Sequence, residues 1–354
     1  MRQNSNESGL IGSAKPRLQY IDLLKAFTVF CVLWGHAIQQ FNDGLDWFHC
    51  TKNSVFSFIY LFHMPLFFMV SGFFFKSSLK MNFGLFLRRK ALQLLLPWAV
   101  WLVIIYIYNN IGRNPFAHET VWQVLRNIFD THWFWFLKEI FISYSIMYLC
   151  YKLVKKGYWA AILGILIIFI IPPEWTRQRV YLPVFLLGIL LKECHGFITK
   201  HIYWFLFGFL AIYAACLPFW DAWWYDTAPQ VFIWKSMSFN FDRTGTYLYR
   251  LLAGGAASLF YFTLFQVLYR PNRISSALSR IGLFTLEIYI LQVLIIEHIL
   301  TNLLDFPRMN VWFYSLVMAP VAALLVLTLE LGIIKLIYKS RSAALALFGS
   351  AGGK

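Results

Sequence analysis

Charge is scarce in this sequence: of 354 residues only 13% are Asp, Glu, Lys or Arg, against 60% hydrophobic and 20% aromatic. A soluble domain of this length carries about a quarter of its residues as charges to solvate its surface, so water is excluded as the main solvent. Cysteine is also sparse. Cys31, Cys50, Cys150, Cys194 and Cys216 stand singly, mostly in apolar surroundings. With no C-x-x-C pair and no His-rich spacing they predict small core residues, and no metal site is expected. Self-similarity at a period of about 20 to 50 residues is absent too, which gives no support to a repeat array or to an inverted-repeat transporter, although such repeats are often silent in sequence. Acidic residues number 16 against 31 Lys and Arg, leaving a formal net charge of +15. Such a surplus fits either a nucleic-acid partner or a membrane-topology signal, and its placement decides between them.

What is present is apolar length. A hydrocarbon layer roughly 30 Å thick needs about 20 apolar residues of helix. Ten stretches meet or approach that: 18–41, 54–76, 85–109, 133–154, 158–173, 179–193, 201–219, 244–269, 281–302 and 311–338. The fifth and sixth are short and meet at Pro172-Pro173. The expected fold is an all-α, polytopic membrane bundle of about ten helices. With the N-terminus cytoplasmic, 20 of the 31 Lys and Arg fall on the cytoplasmic side and 8 outside, so both termini are expected in the cytoplasm and no nucleic-acid partner is expected. The first apolar segment is too long for a signal-peptide core and is expected to stay as an anchor. The expected organisation is a polar cytoplasmic tail over 1–17, a transmembrane domain over 18–340 and a cytoplasmic tail over 341–354. Trp133, Trp135, Trp220, Trp223, Trp224, Tyr225 and Trp312 cluster at the outer helix ends, as an interfacial belt does. A less favoured reading lets Trp220 to Tyr225 stack on a sugar ring.

Ionisable residues inside a spanning segment are costly unless they face a cavity or a partner. In the first helix Asp22, Lys25, Val29, Val32 and His36 share one face. Lys25 and His36 stand eleven residues apart, about 16 Å of rise. Asp22 and Lys25 read equally as a mutually neutralising border pair. His36 is harder to dismiss, because His63 in Phe62-His63-Met64-Pro65 enters to a comparable depth, and two imidazoles at one level predict a polar chamber. Further along that segment Gly72 permits close helix approach. Arg88, Arg89 and Lys90 are either topology determinants or a clamp for phosphates. Glu139, Glu287 and Glu330 are further embedded carboxylates and candidate partners for Lys25, Lys138 or Arg250.

These segments together resemble the acyltransferase-3 family of bacterial membrane O-acyltransferases, especially its fucose 4-O-acetylase-like branch, over nearly the whole chain. Lys25 followed by ten residues and His36 is similar to the family's basic-x10-His signature. Phe62-His63-Met-Pro-Leu-Phe-Phe-Met-Val-Ser71-Gly72 is similar to its second motif. Weaker echoes are Trp135-Phe136-Leu137, Tyr181-Leu-Pro183 through Gly188, and Ile281-Gly282 through Tyr289. Two departures stand out. Family members often carry two basic residues three apart, and here Gln93 replaces the second, after Lys90; Gln292 stands where the family often has His, so no proton transfer is assigned to it.

The resemblance implies transfer of an acyl group, usually acetyl, from cytoplasmic acyl-CoA to a hydroxyl of an envelope glycan or glycolipid at the bacterial inner membrane. Acetyl-CoA or another acyl-CoA is the implied donor, the glycan and membrane lipids the implied partners, and a homodimer is compatible. In that reading Lys25, Arg88, Arg89 and Lys90 meet the donor's phosphates, while Asp22, Ser71 and Trp135 line the substrate channel. His36 is the expected general base, His63 orients it or stabilises the oxyanion, and Glu139 is expected beside the pair. The rivals are a transporter or flippase, in which the buried charges form a pathway, and a non-catalytic membrane sensor with the same shell.

Overall fold

The structure, a computed structural model, describes residues 17–41, 50–111, 120–129, 133–154, 156–171, 176–222, 232–233, 238–239, 241–303 and 310–350. Its principal helices are α1 (Gln19–Phe41), α2 (Ser54–Phe73), α3 (Phe83–Asn109), α4 (Val121–Phe129), α5 (Trp135–Val154), α6 (Gly157–Ile170) and α7 (Gln178–Lys200). They continue as α8 (Ile202–Cys216), α9 (Thr244–Leu268), α10 (Arg273–Ile281), α11 (Thr285–Leu303), α12 (Val311–Ile337) and α13 (Arg341–Phe348). A two-residue antiparallel pair, Phe232–Ile233 with Ser238–Phe239, lies between α8 and α9. The chain is thus a polytopic helical membrane protein.

Among the described residues eight helices are long and apolar enough to cross a membrane: α1, α3, α7, α8, α9, α11, α12, and α2 with its 3-10 continuation to Lys80. The remaining two of the ten expected stretches form α5 and α6. Lys138, Glu139 and Lys152 lower the apolar content of α5, and α6 has 14 residues. Pro172 and Pro173, Trp223 to Tyr225 and the expected tail up to residue 16 lie outside the described residues. Two boundaries differ from expectation. No proline stands between Lys192 and Lys200, and α7 runs on past the expected end at 193, where His195 meets the Tyr20 hydroxyl at 2.8 Å. The expected span from 281 begins instead at Thr285, because α10, opened by an Asn272/Ser275 capping box, ends at Ile281 before a short break.

α1 is the hub, packed against α2, α9, α10, α11 and α12. Its Leu24, Val29, Leu33, Ala37 and Ile38 are fully buried, as expected of a helix surrounded by others rather than by lipid. A close crossing joins α2 and α7. A Cβ on Gly72 would fall 1.9 Å from the Phe185 carbonyl oxygen, and one on Gly188 would fall 1.9 Å from that of Met69, so only glycine allows the two backbones to touch. At the far end of α1, Trp34 Nε1 donates to the Ser315 carbonyl at 2.7 Å, Asn53 Nδ2 to Ser315 Oγ at 2.7 Å, and the Tyr314 hydroxyl to the Ala37 carbonyl at 2.7 Å. These bonds pin the start of α12 to α1 and α2 one turn from His36. Outward faces carry exposed Trp204, Phe207, Leu325 and Leu329, which water would penalise and lipid does not. Cys31, Cys50, Cys150 and Cys216 are buried, as expected, whereas Cys194 is exposed on the α7 extension.

Candidate active site

His36 and His63 line one chamber of about 460 Å³. The two motifs that carry them lie far apart in composition but on adjacent helices, α1 and α2. His63 Nδ1 lies 2.8 Å from the Ile59 carbonyl; a carbonyl only accepts, so Nδ1 carries the proton and Nε2 is the acceptor nitrogen of the neutral ring. Tyr60 packs edge-on against His63 with ring centroids 4.6 Å apart. Trp135 enters the chamber from the start of α5, with the Arg177 guanidinium over its ring at 4.6 Å. The preceding Phe134, fully buried in the chamber wall, holds φ at +56°, a left-handed conformation that a bulky residue adopts only where packing imposes it.

The chamber also contains a carboxylate that sequence reasoning missed. Glu297 Oε1 is 3.2 Å from His36 Nδ1. The distance is that of a hydrogen bond, although the ring is not turned to align its N–H with the oxygen. Gln292 Nε2 reaches the same oxygen at 3.4 Å. The reason it was missed is local: Val293–Leu300 within α11 is a π-helix. In a π turn the i and i+5 residues stack, so Gln292 and Glu297 are neighbours there, whereas the 3.6-residue period used to read the sequence sends them apart. Glu139 sits elsewhere. It is buried on α5, accepts from Thr176 Oγ1 at 2.6 Å and from Gln178 Nε2 at 2.7 Å, and lines neither cavity. Its carboxylate ties α5 to the start of α7 in a satisfied network that includes Ser143 and Gln178. Glu287 accepts the Tyr338 hydroxyl at 2.7 Å and Glu330 is fully buried; neither lines the two cavities.

A second cavity, about 540 Å³, holds Lys25, Ser71, Arg89, Lys90 and Gln93. The Lys90 ammonium stands 3.5 Å from the Tyr144 ring centroid, a cation–π contact that offsets part of its lost hydration. Arg88 is exposed and does not line this cavity. Asp22 lines neither; it bridges Arg17 at 2.5 Å and Lys25 at 3.0 Å, holding the Lys25 side chain at the cavity edge. Residues 341–354, read from sequence as a tail, instead begin with α13. Trp101 Nε1 donates to the Leu347 carbonyl at 2.8 Å, and Phe348, Gly349 and Ser350 complete the cavity wall. The α1 face expected from spacing therefore runs from Lys25 in one cavity to Val32 and His36 in the other. Tyr289 lines both.

One space with two imidazoles and a carboxylate suits proton transfer, and the adjoining space with three cations suits phosphate. Among the described residues no group of three or more His, Cys, Asp or Glu is placed to hold a metal ion. A profile of the acyltransferase-3 family, described as an acyltransferase domain, matches residues 18–330. The chain belongs to this family.

The acyltransferase domain thus covers both cavities except the α13 wall. Two curated relatives are similar to parts of it, both named nodulation protein NolL. One, from Mesorhizobium japonicum, is 29% identical over 130 residues, 36% of this chain and 34% of that protein. The other, from Sinorhizobium fredii, is 27% identical over 220 residues, 58% of this chain and 57% of that protein. The chain spans about a third to a little over half of the length of these relatives. No solved structure matches.

Proposed function

We propose that this acyltransferase is a membrane O-acyltransferase that takes a short acyl group, most simply acetyl, from cytoplasmic acyl-CoA and places it on a hydroxyl of an envelope glycan or glycolipid. Support comes above all from one observation: a cationic cavity and an imidazole chamber adjoin inside the bundle and share Tyr289 as a wall. In this reading Lys25, Arg89 and Lys90 receive the phosphates of the donor, with both termini cytoplasmic in a bacterial inner membrane. The acceptor enters the chamber of His36, His63 and Trp135.

The chemistry follows from the nitrogen positions. With Nδ1 of His36 toward Glu297, its Nε2 is the nitrogen left to act as base, and the carboxyl on the far side orients the ring. The acceptor hydroxyl oxygen attacks the thioester carbonyl carbon as Nε2 takes the hydroxyl proton. The new C–O ester bond forms, the C–S bond breaks, and the proton returns to the departing thiolate to give CoA-SH. His63 has its one proton committed to Ile59, so in the neutral state it accepts rather than donates. It therefore orients the acceptor hydroxyl, and does not serve as the oxyanion donor considered from sequence.

The test is transfer of radiolabelled acetyl from acetyl-CoA to the envelope glycan fraction of membranes bearing the native chain or His36→Ala at equal levels. Incorporation that falls by about 10²-fold or more in the variant is expected. No incorporation by the native chain, together with no acyl-CoA binding, would replace this reading with that of a transporter.

A further inference from the structure

Tyr289 is the one described residue common to the walls of both cavities. It lies on α11 just ahead of the π segment, is 7% exposed, and packs edge-on against Phe136 with ring centroids 5.3 Å apart. Phe136 stands in the first turn of α5, so the ring contact ties α11 to the start of that helix. Phe136 in turn lines the cationic cavity, while its neighbour Trp135 lines the imidazole chamber. The start of α5 and the middle of α11 therefore close on each other at one aromatic pair. Phe67 and Phe68 back Phe136 at 5.8 and 5.4 Å, which leaves the pair little room to retreat.

We propose that Tyr289, latched on Phe136, is the size gate for the acyl group. The inference rests on the reading that the donor occupies the cationic cavity and reacts at His36. Any acyl group must then pass Tyr289 before its carbonyl carbon reaches the imidazole. A two-carbon group fits beside a ring that swings on its Cα–Cβ bond. Selection falls at the reacting position: with the thioester carbon at His36, each further methylene packs against the Tyr289 ring and the Phe136 behind it, and a packed wall rejects an extra methylene by about tenfold or more. Tyr289 is thus a specificity-determining residue that takes no proton and contributes no bond to the transfer. Removing the ring joins the two cavities and leaves room for several carbons.

The experiment supplies one membrane preparation with [14C]acetyl-CoA and [3H]butyryl-CoA together and reads the 14C to 3H ratio in the envelope glycan fraction. The native chain should favour acetyl by about tenfold or more. Tyr289→Ala should lower that preference at least about fivefold while still transferring acetyl, and Tyr289→Phe, which keeps the ring, should retain it. Acetyl transfer by Tyr289→Ala at the native ratio overturns the gate, as does a native chain with no preference. Should Tyr289→Ala fail to insert or to bind acyl-CoA, Phe136→Leu trims the other half of the same contact. The same shift is then expected, and an unchanged ratio overturns the proposal. A native chain that transfers neither label and binds neither thioester defeats the acyltransferase mechanism beneath the gate, a result distinct from transfer without discrimination.

Discussion

Glu297 is the residue on which the local chemistry turns. In the proposed mechanism its carboxyl, 3.2 Å from His36 Nδ1, leaves the other ring nitrogen to act as base. Glu297→Gln keeps the volume and the contact with Gln292 but replaces the carboxyl that faces His36 with an amide. It is expected to lower kcat by about 10- to 10³-fold while KM for acyl-CoA stays close to native, because the proposed donor-phosphate site is a chamber away. Steady-state transfer at varied acetyl-CoA checks this, and a change confined to KM would show that Glu297 serves binding rather than the base. His36, His63, Trp135 and Lys25 were all legible in the sequence, since each lies in a helix of ordinary period and in a motif with a polar residue where lipid would exclude one. Glu297 was not, because a π turn breaks the period on which such reading depends. Glu139 shows the opposite error. An embedded carboxylate is a sound functional candidate, yet its partners Thr176 and Gln178 lie about forty residues on, at the start of another helix, and no spacing rule reaches them.

At the scale of elements, apolar length alone placed ten of the thirteen principal helices and missed the short α4, α10 and α13, and Gly72 in the second motif signalled the close crossing. Its counterpart Gly188 could not be paired with it from sequence, since helix packing is a three-dimensional fact. Gly188→Ala would set a carbon 1.9 Å from the Met69 carbonyl oxygen, so α2 and α7 must part and carry His63 with them. The expected cost is about 1–3 kcal/mol or more, seen as a lower Tm in detergent and reduced transfer. Gly196→Ala on the same helix α7 meets nothing within 4 Å and is expected to leave Tm unchanged or slightly raised, since alanine is the better helix residue. Equal behaviour of the two variants would contradict the crossing. The end of α7 and the docking of α13 escaped sequence reading for a common reason: charge marks where a helix leaves lipid, not where it stops.

Across the whole molecule, the account joins a positive side to a reactive interior. Arg89 and Lys90 of the cationic cavity belong to a segment that the Lys and Arg bias assigns to the cytoplasm, and the His36 chamber lies about 16 Å beyond Lys25 along α1. Donor and acceptor are thereby expected to approach from opposite faces and meet near Tyr289. Sealed vesicles of either orientation, given labelled acetyl-CoA only in the outer medium, measure this directly. The account predicts His36-dependent incorporation into glycan in inside-out vesicles, whose cytoplasmic face is exposed, and none in right-side-out vesicles. Incorporation in sealed right-side-out vesicles, or incorporation in either that survives His36→Ala, would contradict it.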